Sequence, residues 1–123
     1  MIIGIGCDII EINRVEKAVQ SDSFKKRVFT EAEIAYCESR GKQQFASFAA
    51  RFAAKEAVLK AFGTGLRGGE LVEIEVLNDE LGCPQMSLRG YHKELAKSKG
   101  VGKIHVTLSH SKDSAMAYVV LEG

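Results

Sequence analysis

An α+β fold is predicted by three observations: apolar, strand-like runs at both chain ends, one long helical period at the centre, and short helices between. The opening run, Met1-Ile2-Ile3-Gly4-Ile5-Gly6-Cys7-Asp8-Ile9-Ile10, is apolar apart from its glycines and Asp8, and reads as a buried strand. Residues 103–111 and 115–121 read as two strands joined by the polar turn Ser111-Lys112-Asp113-Ser114. The last strand is apolar on both faces, which predicts a central position, and strands from the two chain ends are expected to meet in one sheet. With 123 residues and no internal repeat or linker, the chain predicts one domain, residues 1–123.

The elements between follow in order. A helix is predicted over 13–20 and a second helical piece over 23–28. Thr30 and Glu33 have capping-box spacing and open a short helix that ends before Gly41. The long helix covers 43–62. A weakly alternating strand over 73–77, the turn Asn78-Asp79-Glu80-Leu81-Gly82 and a short strand over 85–88 come next. A helix over 91–99, stopped by Gly100, precedes the two closing strands. Met86 and Met116 read as core.

Composition narrows the class. A net charge of +1 argues against a general nucleic-acid binder. Cys7, Cys37 and Cys83 are odd in number and form no C-x-x-C pair, so neither a disulfide framework nor a zinc site is expected. The opening apolar run is too short to span a bilayer and lacks a charged start, which predicts a cytoplasmic chain without a membrane partner.

Two acids stand where apolar residues are expected. At about 100° per residue, Phe45, Phe48, Ala49, Phe52, Leu59 and Phe62 share one helix face. With Phe52 at zero, Glu56 falls at about 40° and Lys60 at about 80°, on the border of that stripe. A buried carboxylate needs a partner or a metal. The alternative is a solvated Glu56–Lys60 pair at i, i+4, worth about 0.2–0.5 kcal/mol. Asp8 is the second such acid; an N-cap or a core hydrogen bond is the competing reading. Gly4-Ile5-Gly6 lacks the third glycine and preceding strand of a dinucleotide fingerprint. Ser109, His110 and Asp113 make a poor catalytic triad, because adjacent strand residues face opposite ways and no nucleophile elbow is present.

Three motifs carry a resemblance. Gly4-Ile5-Gly6-Cys7-Asp8-Ile9, then Arg51-Phe52-Ala53-Ala54-Lys55-Glu56-Ala57 with Lys60-Ala61-Phe62-Gly63-Thr64-Gly65, and the closing Leu108-Ser109-His110-Ser111 resemble holo-acyl-carrier-protein synthases. These form the short, single-repeat group of the 4′-phosphopantetheinyl transferase family. The similarity spans nearly the whole chain; Cys7 replaces an expected aliphatic residue, and residues 70–87 carry no family signal.

The resemblance implies a fold with a small, mainly antiparallel sheet packed with one long helix and shorter helices. It implies transfer of the 4′-phosphopantetheine arm of coenzyme A to a serine of apo-acyl carrier protein, releasing adenosine 3′,5′-bisphosphate, in support of fatty acid biosynthesis. Asp8 and Glu56 would hold Mg²⁺, with Mn²⁺ as an alternative, and Lys60 would meet the phosphates; these three are the implied catalytic set. Coenzyme A would also bind Gly63, Thr64, Gly65, Ser109, His110 and Ser111. The serine's base is left open between a metal-held water and a carboxylate. An acidic carrier would dock on Arg14, Phe24 and Arg27, within a basic cluster that reads otherwise as a solvated face. The short group implies a homotrimer with shared clefts, against the alternative that the chain's own helices cover its closing strand. A coenzyme A-binding regulatory module without turnover, or a phosphohydrolase, are the competing functions. His92 and His105 read as ordinary helix and strand residues.

Overall fold

In the computed structural model, which describes all residues from Met1 to Gly123, the chain ends do meet. The elements are β1 (Ile2–Glu11), α1 (Ile12–Ala18), α2 (Asp22–Val28), α3 (Glu31–Glu38), α4 (Gln44–Phe62), β2 (Ile74–Asn78), β3 (Pro84–Leu88), α5 (Gly90–Ser98), β4 (Lys103–His110) and β5 (Ser114–Glu122). One antiparallel sheet has the order β1-β5-β4, so β5 is central as expected; β2 and β3 form a separate antiparallel hairpin. Single 3-10 turns precede α4 and β2. Thr30 and Glu33 complete the predicted capping box at the start of α3. No helix is long and apolar enough to cross a membrane.

Helix α4 packs on one face of the three-stranded sheet and leaves the other open. The inner face presents Ala115, Ala117, Val119 and Leu121, all buried. On the outer face Ile5 is 56% exposed, Ile9 69%, Met116 38% and Tyr118 39%. This corrects two expectations. Strand β1 is not buried on both faces but is an edge strand whose exposure alternates with its pleat. Met116 belongs to the open face, not the core. The reading in which the chain's own helices cover β5 on both sides does not hold either, because nothing in the chain lies over Met116 and Tyr118.

The wheel of α4 is also rotated from its predicted setting. Phe48, Ala49, Leu59 and Phe62 are buried as expected, but Phe45 and Phe52 are only half-buried. The alanines take their place: Ala53, Ala54 and Ala57 are fully enclosed, where strands approach the helix closely. The ion in the core is Lys55, not Glu56. Its Nζ donates to Glu33 Oε1 at 2.8 Å, to the Leu71 carbonyl at 3.3 Å and to the Ile74 carbonyl. Glu33 in turn accepts from the Thr30 and Val76 amides at 2.9 and 2.8 Å. One turn earlier, buried Arg51 donates to the Val76 carbonyl and Asn78 Oδ1, each at 3.1 Å, with its guanidinium over the Tyr36 ring. Arg51 and Lys55 therefore tie α4 to the backbone of β2.

Burial pulls the Lys55 pKa down, and the Glu33 charge opposes that shift. The pair is a costly feature that tolerates no half-removal. Glu33→Ala is expected to cost about 3–5 kcal/mol in urea unfolding, because it leaves an enclosed ammonium without its countercharge.

Candidate active site

Strand β1 reaches α4 only because it lacks two side chains. A Cβ on Gly4 would lie 2.1 Å from the Ala61 carbonyl oxygen, and one on Gly6 2.1 Å from that of Ala57. Both glycines, and Asp8 after them, lie on the same side of the pleat. The close approach brings Asp8 to the exposed edge of α4. Its Oδ1 accepts from Lys60 Nζ at 3.0 Å; the Asp8 side chain is 20% exposed and that of Lys60 57%. The i, i+4 pair expected as an alternative does not form: Lys60 turns to Asp8, and Glu56 is left half-buried.

The electrostatics define what the site can hold. Burial raises the Glu56 pKa, the Asp8 charge raises it further, and Lys60 works against both. The hydrogen bond to Asp8, then its charge, raise the Lys60 pKa, so that ammonium keeps its proton. Two carboxylates that repel each other, with one flexible ammonium as countercharge, fit a divalent cation of the hard, oxygen-seeking kind. Mg²⁺ is held by one or two carboxylates, with waters and substrate phosphates completing its shell.

The remaining predicted residues fall into three places. Gly63 caps α4 in the left-handed region (φ 80°), and Thr64 and Gly65 follow it directly, so this loop adjoins Lys60. Arg67, which the motif reading missed, donates from Nε to the Thr64 carbonyl at 2.8 Å and adds a positive charge to the same loop. The signal was its place two residues beyond the Gly-x-Gly.

Ser109, His110 and Ser111 lie elsewhere. His110 and Ser111 line a cleft of about 530 Å³ with Lys42, Gln43, Phe45 and Ala46, at the other end of α4. From Ala46 to Gly63 the helix rises roughly 25 Å. Within one chain, the two predicted coenzyme A patches are therefore not brought together. The Ser111 hydroxyl is also engaged by its own turn, accepting from the Ser114 amide at 3.3 Å.

In the third place, Arg14 and Arg27 are exposed on α1 and α2. Half-buried Phe24 meets Phe52 of α4, ring centroids 6.1 Å apart. Lys25 is taken up by Glu38 at 2.8 Å. Arg14 and Arg27 are thus open to solvent, and one lysine of the cluster is already paired.

Comparison with known proteins identifies the family. Residues 4–119 match the family model of the 4′-phosphopantetheinyl transferase superfamily. The chain belongs to that family. A holo-[acyl-carrier-protein] synthase of Clostridium tetani is 49% identical, over 100% of this chain and 98% of its own length. One from Treponema denticola is 44% identical over the whole of both. Among solved structures, the Neisseria meningitidis holo-[acyl-carrier-protein] synthase superposes with a TM-score of 0.90 at 32% identity, covering all of both chains. The Bacillus anthracis synthase, solved in complex with CoA (3′,5′-ADP), gives 0.82 at 41%, covering 100% of this chain and 98% of its own.

The raised Glu56 pKa carries a sign that can be checked. A carboxyl whose folded pKa lies above its unfolded value loses stability as pH rises through that window, so its charged form is the costly one. Glu56→Gln should therefore raise the thermal midpoint in chelator. Mg²⁺ should stabilise the wild type, by holding the two carboxylates together, and leave the Glu56→Gln variant unmoved. Differential scanning fluorimetry with EDTA and with Mg²⁺ reads both effects.

Proposed function

We infer that this chain transfers the 4′-phosphopantetheine arm of coenzyme A to a serine of an apo-acyl carrier protein and releases adenosine 3′,5′-bisphosphate. The observation that carries this reading is the meeting of Asp8, Glu56 and Lys60 beside the Gly63–Gly65 loop in a member of this family. In the step, the serine oxygen bonds to the pantetheine-bearing phosphorus as the pyrophosphate bridge breaks. The bridging oxygen leaves with the electron pair, and the serine proton passes to a base. Asp8 and Glu56 would hold Mg²⁺, or Mn²⁺, which when bound supplies neutralisation of the pyrophosphate charge. Lys60, protonated and largely exposed, can turn from Asp8 to the phosphates and steady the leaving oxygen. The loop amides after Gly63 and the Arg67 charge favour the same anion.

An enzyme explains these residues better than a coenzyme A-binding regulatory module does, since a mere binder has less need of all three. The acidic carrier would dock on Arg14, Phe24 and Arg27, of which Arg14 and Arg27 are exposed. Three free cysteines fit a reducing cytoplasm as the setting. Mass spectrometry of an apo-carrier protein, after incubation with this chain, coenzyme A and Mg²⁺, decides the class. A gain of one phosphopantetheine arm is expected; bisphosphate release without that gain would mean a phosphohydrolase. Asp8→Asn should nearly abolish transfer, and Lys60→Met should lower kcat more than it raises the coenzyme A KM.

We further propose a cyclic homotrimer. Two observations support it: the open apolar sheet face, and the separation of the His110 cleft from the Gly63 loop. In a closed ring each copy lends a different patch to its neighbour through one repeated heterologous interface. The Ser109-His110-Ser111 turn of one copy would then complete the cleft begun by Asp8, Glu56 and Lys60 of the next. Ile9→Asp, on the open face and outside the metal pair, should give a folded monomer with little transfer activity. Light scattering through a dilution series checks it; a wild-type monomer fully active at nanomolar concentration would end the shared-cleft model.

A further inference from the structure

We propose that His92 and Glu73 act as positioning residues that clamp the foot of the loop over residues 63–70 and so set the affinity for coenzyme A. This rests on the reading of Gly63, Thr64 and Gly65 as coenzyme A-binding. The loop begins at the α4 cap and is braced near its head by the Arg67 bond to Thr64. Its foot is wedged against α5. A Cβ on Gly68 would lie 2.7 Å from the Tyr91 ring. One on Gly69 (φ +69°) would lie 2.5 Å from Glu73 Oε1 and 3.0 Å from His92 Cε1. One on Gly90 (φ +55°), the first residue of α5, would lie 2.5 Å from Glu73 Oε2. The Glu73 carboxylate thus sits between the loop foot and the helix, touching two residues that have no side chain to repel it.

His92 holds that carboxylate there. The imidazole is 1% exposed, and its Nδ1 lies 2.9 Å from Glu73 Oε1. A carboxylate only accepts, so Nδ1 carries the hydrogen, and in the neutral ring that leaves Nε2 as an acceptor. Nε2 is buried and has no partner. An apolar side chain would fill this space without orphaning an acceptor, so packing alone is a poor reason for histidine here. What the imidazole adds is the Nδ1–H bond that steers Glu73 against Gly69 and Gly90. The Tyr91 ring, edge-on to the imidazole at 5.4 Å, closes the same corner over Gly68. Nothing in the clamp touches Asp8, Glu56 or Lys60, so its effect on the reaction must travel through the loop.

The test combines initial rates with hydrogen–deuterium exchange of residues 63–70, with and without coenzyme A in Mg²⁺ buffer. It uses the full chain as wild type, His92→Leu, His92→Gln and Glu73→Ala. Coenzyme A should slow exchange of the loop in the wild type. In His92→Leu and in Glu73→Ala, which leaves the Nδ1–H without an acceptor, most of that protection should vanish and the coenzyme A KM rise about tenfold, since a slightly misplaced loop forfeits orientation. The carrier KM and kcat should stay within about twofold of wild type. His92→Gln, whose amide can donate to Glu73, should return the coenzyme A KM to within about threefold of wild type. A lower thermal midpoint with the coenzyme A KM unchanged would make His92 a packing residue and overturn the proposal. Protection kept in both variants would overturn the clamp alone. No protection in the wild type would remove residues 63–70 from the coenzyme A site, and the clamp's function with it. Should His92→Leu fail to fold, Glu73→Ala, at a side chain only 24% exposed in the wild type, carries the same comparison.

Discussion

The distance between β1 and α4 is the constraint on which the site depends. Strand and helix meet backbone to backbone because Gly4 and Gly6 place hydrogen where any other residue would place carbon against the carbonyls of Ala61 and Ala57. Helices normally stand off from a sheet by the thickness of two side-chain layers. Here one layer is missing, so the short side chain of Asp8 reaches the Glu56–Lys60 edge that it could not otherwise touch. An alanine at Gly6 would damage chemistry and packing together, since the carbonyl it meets belongs to the helix that carries the second acid.

Helix α4 divides its labour by rotation. Arg51 and Lys55, one turn apart, face inward and bind the carbonyls of β2; Phe52, Glu56 and Lys60, displaced by about 100° from them, face outward. The inward pair fixes the helix about its own axis, and that angle decides whether Glu56 points at Asp8. Two adjacent ionisable residues thus have opposite fates. Lys55 is enclosed and neutralised by Glu33 for the sake of structure. Glu56 is half-buried and left unneutralised, and an uncompensated carboxylate beside another is what a divalent cation requires.

Much of this was legible in the sequence, because the relevant signals are local. The capping box at Thr30, the turn after Ser111 and the period of α4 each lie within a few residues, and each element forms where expected. The family motifs named Asp8, Glu56 and Lys60, which do converge. The errors share one cause: burial depends on partners remote in sequence. A wheel cannot know that Lys55 will find Glu33 across 22 positions, nor that Phe45 and Phe52 will sit at the rim. Nor can an apolar strand disclose that its outer face has no cover within the chain. His92 looked ordinary for the same reason, since Glu73 lies 19 positions away.

The open sheet face and the separation of the His110 turn from the Gly63 loop bear on each other. An exposed surface carrying Ile5, Ile9, Met116 and Tyr118 is costly to keep in water for a domain this small. A second copy laid over it would remove that cost, and would do so beside the strand that carries Asp8. The ends of α4 lie too far apart for one ligand head to bridge within a chain, because coenzyme A carries its 3′-phosphate and its pyrophosphate on the same ribose. If Gly63 of one copy faces His110 of another, the pyrophosphate and the 3′-phosphate can be held at once without either chain bending. The apolar face would then align the two half-sites as well as join the copies, making binding of the long substrate inseparable from assembly. Such a coupling would also give the proposed clamp at His92 its place: it would hold steady the part of the half-site built from loop, while the rest stands on a strand and a helix already locked together.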